Sequence, residues 1–269
     1  MKKKISNAYI SLVMFFLYAP IFVLIVYSFN QSKSRAMFTG FTLDWYRQLF
    51  SNEMILVSLR NTLIIAVISS VAATVIGTMA ALGLNKINKR LRRLVMNITY
   101  IPIINPEIVT GVSLMLLFVM LRLEFGFATL ILAHITFNIP YVIFNVSPKL
   151  RQLDKNIYDA ALDLGCSPTQ AFFKVVIPEI MPGILAGFLM SFTYSLDDFI
   201  ISYFTSGPAS QTLPVTIFSM TRRKVSPEIN ALSTIIFIIV LAALLLYNIY
   251  DARKERLNRH PVKGGGSVL

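Results

Sequence analysis

Residues 159–165 read Asp-Ala-Ala-Leu-Asp-Leu-Gly, and Val175-Val-Ile-Pro178 follows after nine intervening residues. This polar stretch lies between two apolar runs that are each long enough to cross a membrane. Gly165 permits a left-handed turn, and Pro168 after a serine favours the start of a second helix. The pattern therefore predicts two short helices joined by a turn.

The rest of the chain has the composition of a membrane protein. Of its 269 residues 55% are hydrophobic and 14% are charged, whereas a soluble protein carries about 25% charged residues. A helix needs roughly 20 apolar residues to cross a bilayer. Six stretches meet that length: 8–29, 61–84, 94–121, 126–146, 183–204 and 229–250. We predict an all-α integral membrane protein with one six-span domain, residues 1–263, and a flexible tail, residues 264–269.

The first span follows a Lys-rich start and could be read as a signal peptide. Its apolar run is too long for that, and no A-x-A-like cleavage site follows it. We expect it to remain as a membrane helix.

Basic residues predict the orientation of the spans. Of the 25 Lys and Arg residues, 17 lie at the N-terminus, in loops 85–93 and 147–182, and in the C-terminal tail. Because basic residues accumulate on the cytoplasmic side, we predict that both termini and loop 147–182 are cytoplasmic. The same asymmetry accounts for the net charge of +12 without a nucleic-acid partner.

Several functions are not supported by the sequence. It contains no G-x-x-x-x-G-K-[ST] phosphate loop, no Cys/His/carboxylate cluster with metal-ligand spacing and no nucleophile–base constellation. We predict that the chain is not an enzyme and binds no cofactor or metal of its own. Its single cysteine, Cys166, cannot form an internal disulfide.

Loop 147–182 resembles the EAA cytoplasmic loop of ATP-binding-cassette importer permeases. The resemblance implies the type I permease architecture, in which this loop is the coupling helix segment that docks on a separate ATPase carrying ATP and Mg²⁺. It assigns the coupling surface to Asp159, Ala160, Ala161, Gly165 and Pro178, with Asp159 where the family usually has Glu. The alternative is an amphipathic connector at the membrane interface. Pro178 and Pro182 are expected to break the chain before the next span.

Three carboxylates lie inside predicted spans, where an acid is costly unless it faces a cavity or a partner. Glu107 lies about 20 Å, and Asp197 and Asp198 roughly 21–23 Å, from the cytoplasmic ends of their spans at 1.5 Å per residue. This common depth favours a shared site, although each acid could instead cap or pair within the bundle. Pro102 and Pro106 predict a broken helix beside Glu107, as found at cavities.

The spacing of small residues predicts which acid points inward. Gly183, Gly187, Ser191 and Ser195 recur every four residues and form a stripe suited to close helix packing. Asp198 returns to nearly the same face. We therefore predict Asp198 as the inward acid and Asp197 as the second.

Further segments resemble the spermidine/putrescine permeases of the same superfamily. They include Ser191-Phe-Thr-Tyr-Ser-Leu-Asp-Asp-Phe199 and His134-Ile-Thr-Phe-Asn-Ile-Pro140. The resemblance implies import of a polyamine through a heterodimer with a second homologous permease, in the bacterial inner membrane. It also implies a dimer of ATP-binding subunits and a periplasmic or extracellular polyamine-binding protein. The predicted substrate-binding residues are Asp198, Asp197, Glu107, Tyr194, Ser195 and Trp45.

Other interpretations stay open at this point. Trp45 could be an interfacial anchor, and His134 is expected to form buried hydrogen bonds between helices rather than to contact a ligand. The cargo could be another organic cation or an amino-acid derivative. A different class of function is a proton-coupled secondary transporter, with Glu107 and the Asp pair as the proton relay.

Overall fold

The computed structural model describes residues 2–32, 37–223 and 227–258. The predicted tail, residues 264–269, lies outside this part. The helices are α1 (Lys2–Ser28), α2 (Asp44–Ser51), α3 (Glu53–Lys86), α4 (Lys89–Ile104), α5 (Glu107–Met120), α6 (Phe127–Gln152), α7 (Lys155–Asp163), α8 (Pro168–Ala171), α9 (Ile177–Asp197), α10 (Ile200–Thr205), α11 (Leu213–Arg223) and α12 (Pro227–Asn258). A π-helical turn, Phe172–Val176, joins α8 to α9. The described residues are thus almost entirely helical, as predicted.

Long apolar helices account for most of the predicted spans. Within the described residues, four segments are long and apolar enough to cross a bilayer: Tyr9–Ser28, Glu53–Lys86, Phe127–Gln152 and Pro168–Asp197. The pair α4 and α5 is a fifth if it counts as one broken span, and Pro227–Ala242 is a shorter apolar helix. Six spans, and their assembly into one domain, therefore stay predictions.

The helices divide into two units, one built around α1, α2 and α12 and the other from residues 53–219. In the first unit, α12 packs against α1 and α2. The indole Nε1 of Trp45 donates to the carbonyl oxygen of Asn30 at 2.7 Å, and the ring of Phe29 packs between those of Phe41 and Tyr46. These contacts hold Phe29 and Asn30, which follow α1, against the start of α2.

The second unit is built on three mutually packed helices, α3, α6 and α9. Val142 on α6 is fully buried between glycines of the other two helices. A Cβ at Gly77 of α3 would lie 2.7 Å from the Cβ of Val142, and one at Gly187 of α9 would lie 3.1 Å from its Cα. The small-residue stripe read from the sequence on α9 is therefore the surface through which this helix approaches α6 closely.

The helix predicted to break near the prolines is broken there. Between α4 and α5 the axis turns by 104°. Asn105, which precedes Pro106, has the extended backbone (φ −70°, ψ 142°) that a following proline imposes. Glu107 begins α5 and lies beyond this break, so its predicted distance of about 20 Å along one straight span does not apply.

One predicted break is wrong. Pro178 and Pro182 do not interrupt the chain, because α8, the π turn and α9 form one continuous helical segment from Pro168 to Asp197. In the π turn, the amide of Ile177 donates to the carbonyl of Phe172, five residues earlier. This wider turn directly precedes Pro178. Such π-helical turns let a helix continue through a proline, which has no amide hydrogen to donate.

Candidate functional site

A cavity of about 300 Å³ lies where two helices are broken, in the unit of residues 53–219. The breaks between α4 and α5 and between α9 and α10 face it together with α6. It is lined by Pro102, Glu107, Thr110, Phe137, Tyr141, Tyr194, Asp197, Asp198, Phe199, Ile200 and Ile201. The structure thus brings together all three carboxylates that the sequence placed inside spans. None of these eleven lining residues is basic.

Asp198 is held by the fold. Its side chain is buried, with 8% of the residue exposed. One carboxylate oxygen accepts from the amide of Ile201 at 3.2 Å, and the other accepts from the amide of Ser202 at 2.7 Å. These amides belong to the first turn of α10, which has no earlier helical residues to accept from them. Asp198 therefore ends α9, with an extended backbone (ψ 120°), and caps α10.

A buried polar network of His134, Ser195 and Ser202 adjoins Asp198. His134 is fully buried, and its Nδ1 and Nε2 lie 3.0 and 3.1 Å from the hydroxyls of Ser195 and Ser202. Its Nε2 is also 3.5 Å from the carboxylate of Asp198. Asn138 donates to Ser195 at 2.8 Å. His134 therefore joins three helices by hydrogen bonds, as expected.

Asp197 and Glu107 are in a different position. Both are exposed, and both line the cavity. A carboxylate that faces open space can turn toward a ligand. Both carboxylate oxygens of Asp198, in contrast, already accept hydrogen bonds from backbone amides. The geometry thus separates one positioning acid from two that a ligand can reach.

Aromatic rings form part of the cavity wall. The rings of Tyr141 and Tyr194 lie 4.4 Å apart at 30°, and Phe137 and Phe199 complete the wall. Sequence reasoning found Tyr194 but missed Tyr141, Phe137, Phe199 and Thr110. A signal for two of them was available, since His134, Phe137 and Tyr141 recur at intervals of three and four residues and share one face of α6.

Two other predicted substrate residues lie elsewhere. Ser195 is 2% exposed and belongs to the network, where it contacts Ser69 of α3 at 3.1 Å as well as His134. Trp45 is 5% exposed in the other unit. The burial of both residues favours structural roles.

In the predicted coupling segment, α7 is the first of the two short helices read from the sequence, whereas the second is the start of the continuous helical segment that begins at Pro168. At the end of α7 the amide of Gly165 donates to Leu162 and that of Cys166 donates to Ala161. Gly165 has φ +88°, so the turn is a Schellman motif with glycine in the left-handed conformation. Ser167 and Gln170 form a reciprocal capping box that starts α8.

The surface of this segment is largely open. Asp159, Ala160, Gly165 and Pro178 are exposed, whereas Ala161 is buried. Leu164, at the tip of the turn, is 86% exposed.

The chain resembles known transport proteins over most of its length. The family model described as "Binding-protein-dependent transport system inner membrane component" matches residues 73–259. The spermidine/putrescine transport system permease protein PotC of Escherichia coli (strain K12) is 37% identical over 248 residues, covering 92% of this chain and 94% of that protein. The putrescine transport system permease protein PotI of the same strain is 39% identical over 251 residues, covering 90% and 89%.

A solved structure shares the fold. A chain of a bacterial alginate ABC transporter, in complex with its alginate pentasaccharide-bound periplasmic protein, matches with a TM-score of 0.68 at 17% identity. The match covers 96% of this chain and 95% of that chain.

Proposed function

We propose that this chain, which belongs to the binding-protein-dependent transport system inner membrane component family, moves polyamines such as spermidine or putrescine into the cytoplasm as one permease half of an ATP-driven importer. The relatives at 37–39% identity are permeases of spermidine/putrescine and putrescine transport systems. The acidic, aromatic cavity carries the proposal, because its chemistry matches a flexible organic cation.

The lining explains how such a cation would be held. A polyamine presents ammonium groups separated by methylene chains. Asp197 and Glu107, exposed in the cavity, would accept from ammonium groups; a hydrogen bond to a charged group contributes about 1.5–3 kcal/mol. Tyr194 and Tyr141 would pack against methylenes or face an ammonium group, a contact that contributes about 0.5–2 kcal/mol. Asp198 would position α10 and add negative potential.

The breaks in the lining helices suit alternating access. Both α4/α5 and α9/α10 are interrupted at the cavity, so residues there can move without bending a continuous helix. A transport site must also release its cargo, and so its affinity must differ between the two conformations.

Energy would enter through α7 and α8. In this proposal their exposed surface, including Asp159, Ala160 and Gly165, docks on one of two ATPase subunits, where ATP and Mg²⁺ bind. This chain then carries no catalytic group of its own. A second homologous permease and a periplasmic binding protein complete the assembly, and both termini of this chain face the cytoplasm.

Uptake by reconstituted vesicles tests the cargo. Proteoliposomes that hold the complete importer take up labelled spermidine while unlabelled putrescine, lysine or choline competes. We expect competition by putrescine alone, and a tenfold or larger loss of uptake in Asp197→Asn, by the energies given above. The control is Glu124→Gln, an exposed acid outside the cavity. Equal loss in both variants, or stronger competition by lysine or choline, would overturn the polyamine assignment.

A further inference from the structure

A second cavity, of about 240 Å³, lies where α4 begins and α6 ends. We call it the basic pocket. Its lining consists of Lys89, Arg92, Arg93, Met96, Tyr100 and Arg151. Four of these six side chains are cations, in contrast to the acidic cavity described above.

The arrangement of the cations follows from the helices. Lys89, Arg92 and Arg93 are spaced by three and four residues, so they lie on one face of α4. Arg151 reaches the pocket from the last turn of α6. Arg92 and Arg151 also line a small adjoining cavity with Asn85 and Ser147. The four side chains thus meet at one cavity from two packed helices; Lys89, Arg93 and Arg151 are exposed, and Arg92 is partly buried.

These charges are not neutralised within the described part of the chain. There, none of the four side chains makes an ion pair with a carboxylate, and neither cavity has an acidic lining residue. Like charges held around one volume repel each other, and an anion between them removes that repulsion. The chemistry of the basic pocket therefore calls for an anionic ligand.

An apolar seam continues from the basic pocket along the same face. Met96 is 8% exposed, and Tyr100 lies about 16 Å from Lys89 along α4 at 1.5 Å per residue. The ring of Tyr100 stands edge-on to that of Phe144 of α6, with centroids 6.1 Å apart. Phe144 is 52% exposed. A cationic end followed by an open apolar seam fits an amphiphile better than a free anion.

We propose that the basic pocket binds the phosphate of an anionic phospholipid, with an acyl chain lying along the seam of Met96, Tyr100 and Phe144. Basic pockets between membrane helices commonly bind such head groups. A lipid held here would bridge α4 and α6, the helices that carry Pro102 and Tyr141 of the acidic cavity. The inference does not depend on the identity of the cargo, since it needs only a membrane protein.

Lipid retention by the assembled importer tests the proposal. The complex is purified from bilayers of phosphatidylcholine and phosphatidylglycerol, and the lipids that remain bound are counted by native mass spectrometry. Each basic residue near a membrane surface contributes about 1 kcal/mol, so Arg92→Gln or Arg93→Gln should lower retained phosphatidylglycerol about five-fold. Retained phosphatidylcholine should not change. The matched control is Arg90→Gln, which removes the same charge from an exposed neighbour outside the pocket.

The outcomes separate the sources of the anion. A loss of phosphatidylglycerol in the two pocket variants, with Arg90→Gln like wild type and no displacement by excess inorganic phosphate, supports the proposal. Equal losses in all three variants would mean general surface attraction and would overturn it. Complete displacement by inorganic phosphate would show that the pocket binds a free anion and not a lipid, and would overturn the proposal. If Arg92→Gln does not fold, the more exposed Arg93→Gln gives the same test.

Discussion

Replacing Asp198 with Asn is expected to lower the free energy of unfolding of this chain by about 1.5–3 kcal/mol. The carboxylate accepts from the amides of Ile201 and Ser202 at 3.2 and 2.7 Å. The amide of Asn has a single acceptor oxygen, so it leaves one of these buried donors facing an NH₂ group. For a domain of this size the loss corresponds to a fall of about 3–12 °C in the unfolding temperature.

The measurement is thermal unfolding of the purified complex in detergent, with Asp197→Asn as the matched control. Asp197 is exposed, so its variant should unfold within about 0.5 kcal/mol of wild type while its spermidine uptake falls. If Asp198 positions α10 and Asp197 contacts the ligand, the first variant should lose stability and the second should lose uptake. The reasoning is refuted if Asp198→Asn unfolds like wild type, or if Asp197→Asn is the less stable of the two.

Four further substitutions test other parts of the account. Gly77→Ala should destabilise the protein by about 1–3 kcal/mol in thermal unfolding, because its Cβ would lie 2.7 Å from that of Val142. Gly83→Ala on the same helix, with open space around it, should be neutral or stabilising by up to about 1 kcal/mol. Gly165→Ala should strain the left-handed turn by about 1–2 kcal/mol. We expect this strain to lower the affinity for the ATPase subunits, and a pull-down titration measures that affinity. Tyr194→Ala should weaken spermidine binding to the complex about two- to thirty-fold by calorimetry.

Local signals predicted the turn at Gly165 and the helix start at Pro168 correctly. Gly165 and Pro168 act through their own backbone preferences, and the structure confirms the left-handed turn and the new helix. The break at Pro106 was likewise predictable, because proline restricts the residue before it. Pro178 shows the limit of the same rule. The π turn that absorbs it depends on the packing of a whole helical segment, and no single residue signals it.

The cavity was predictable in composition but not in detail. Because a charge is costly to bury, the sequence favoured a shared site for Glu107, Asp197 and Asp198, and all three line one cavity. Helical periodicity then favoured Asp198 as the inward acid, and it does lie on the buried face. Periodicity could not show that α9 ends there and that both carboxylate oxygens are taken by the next helix. Tyr141 was missed because its place beside Tyr194 depends on how α6 and α9 pack.

The most direct test of the central claim compares the energy sources of uptake. Proteoliposomes that contain this chain, its partner permease, the ATPase subunits and the binding protein are given labelled spermidine, with either internal ATP or an imposed proton gradient. The account predicts uptake that requires ATP, ignores the proton gradient and is lost in Asp197→Asn while the ATPase subunits stay bound. Uptake that follows the proton gradient without ATP would contradict it.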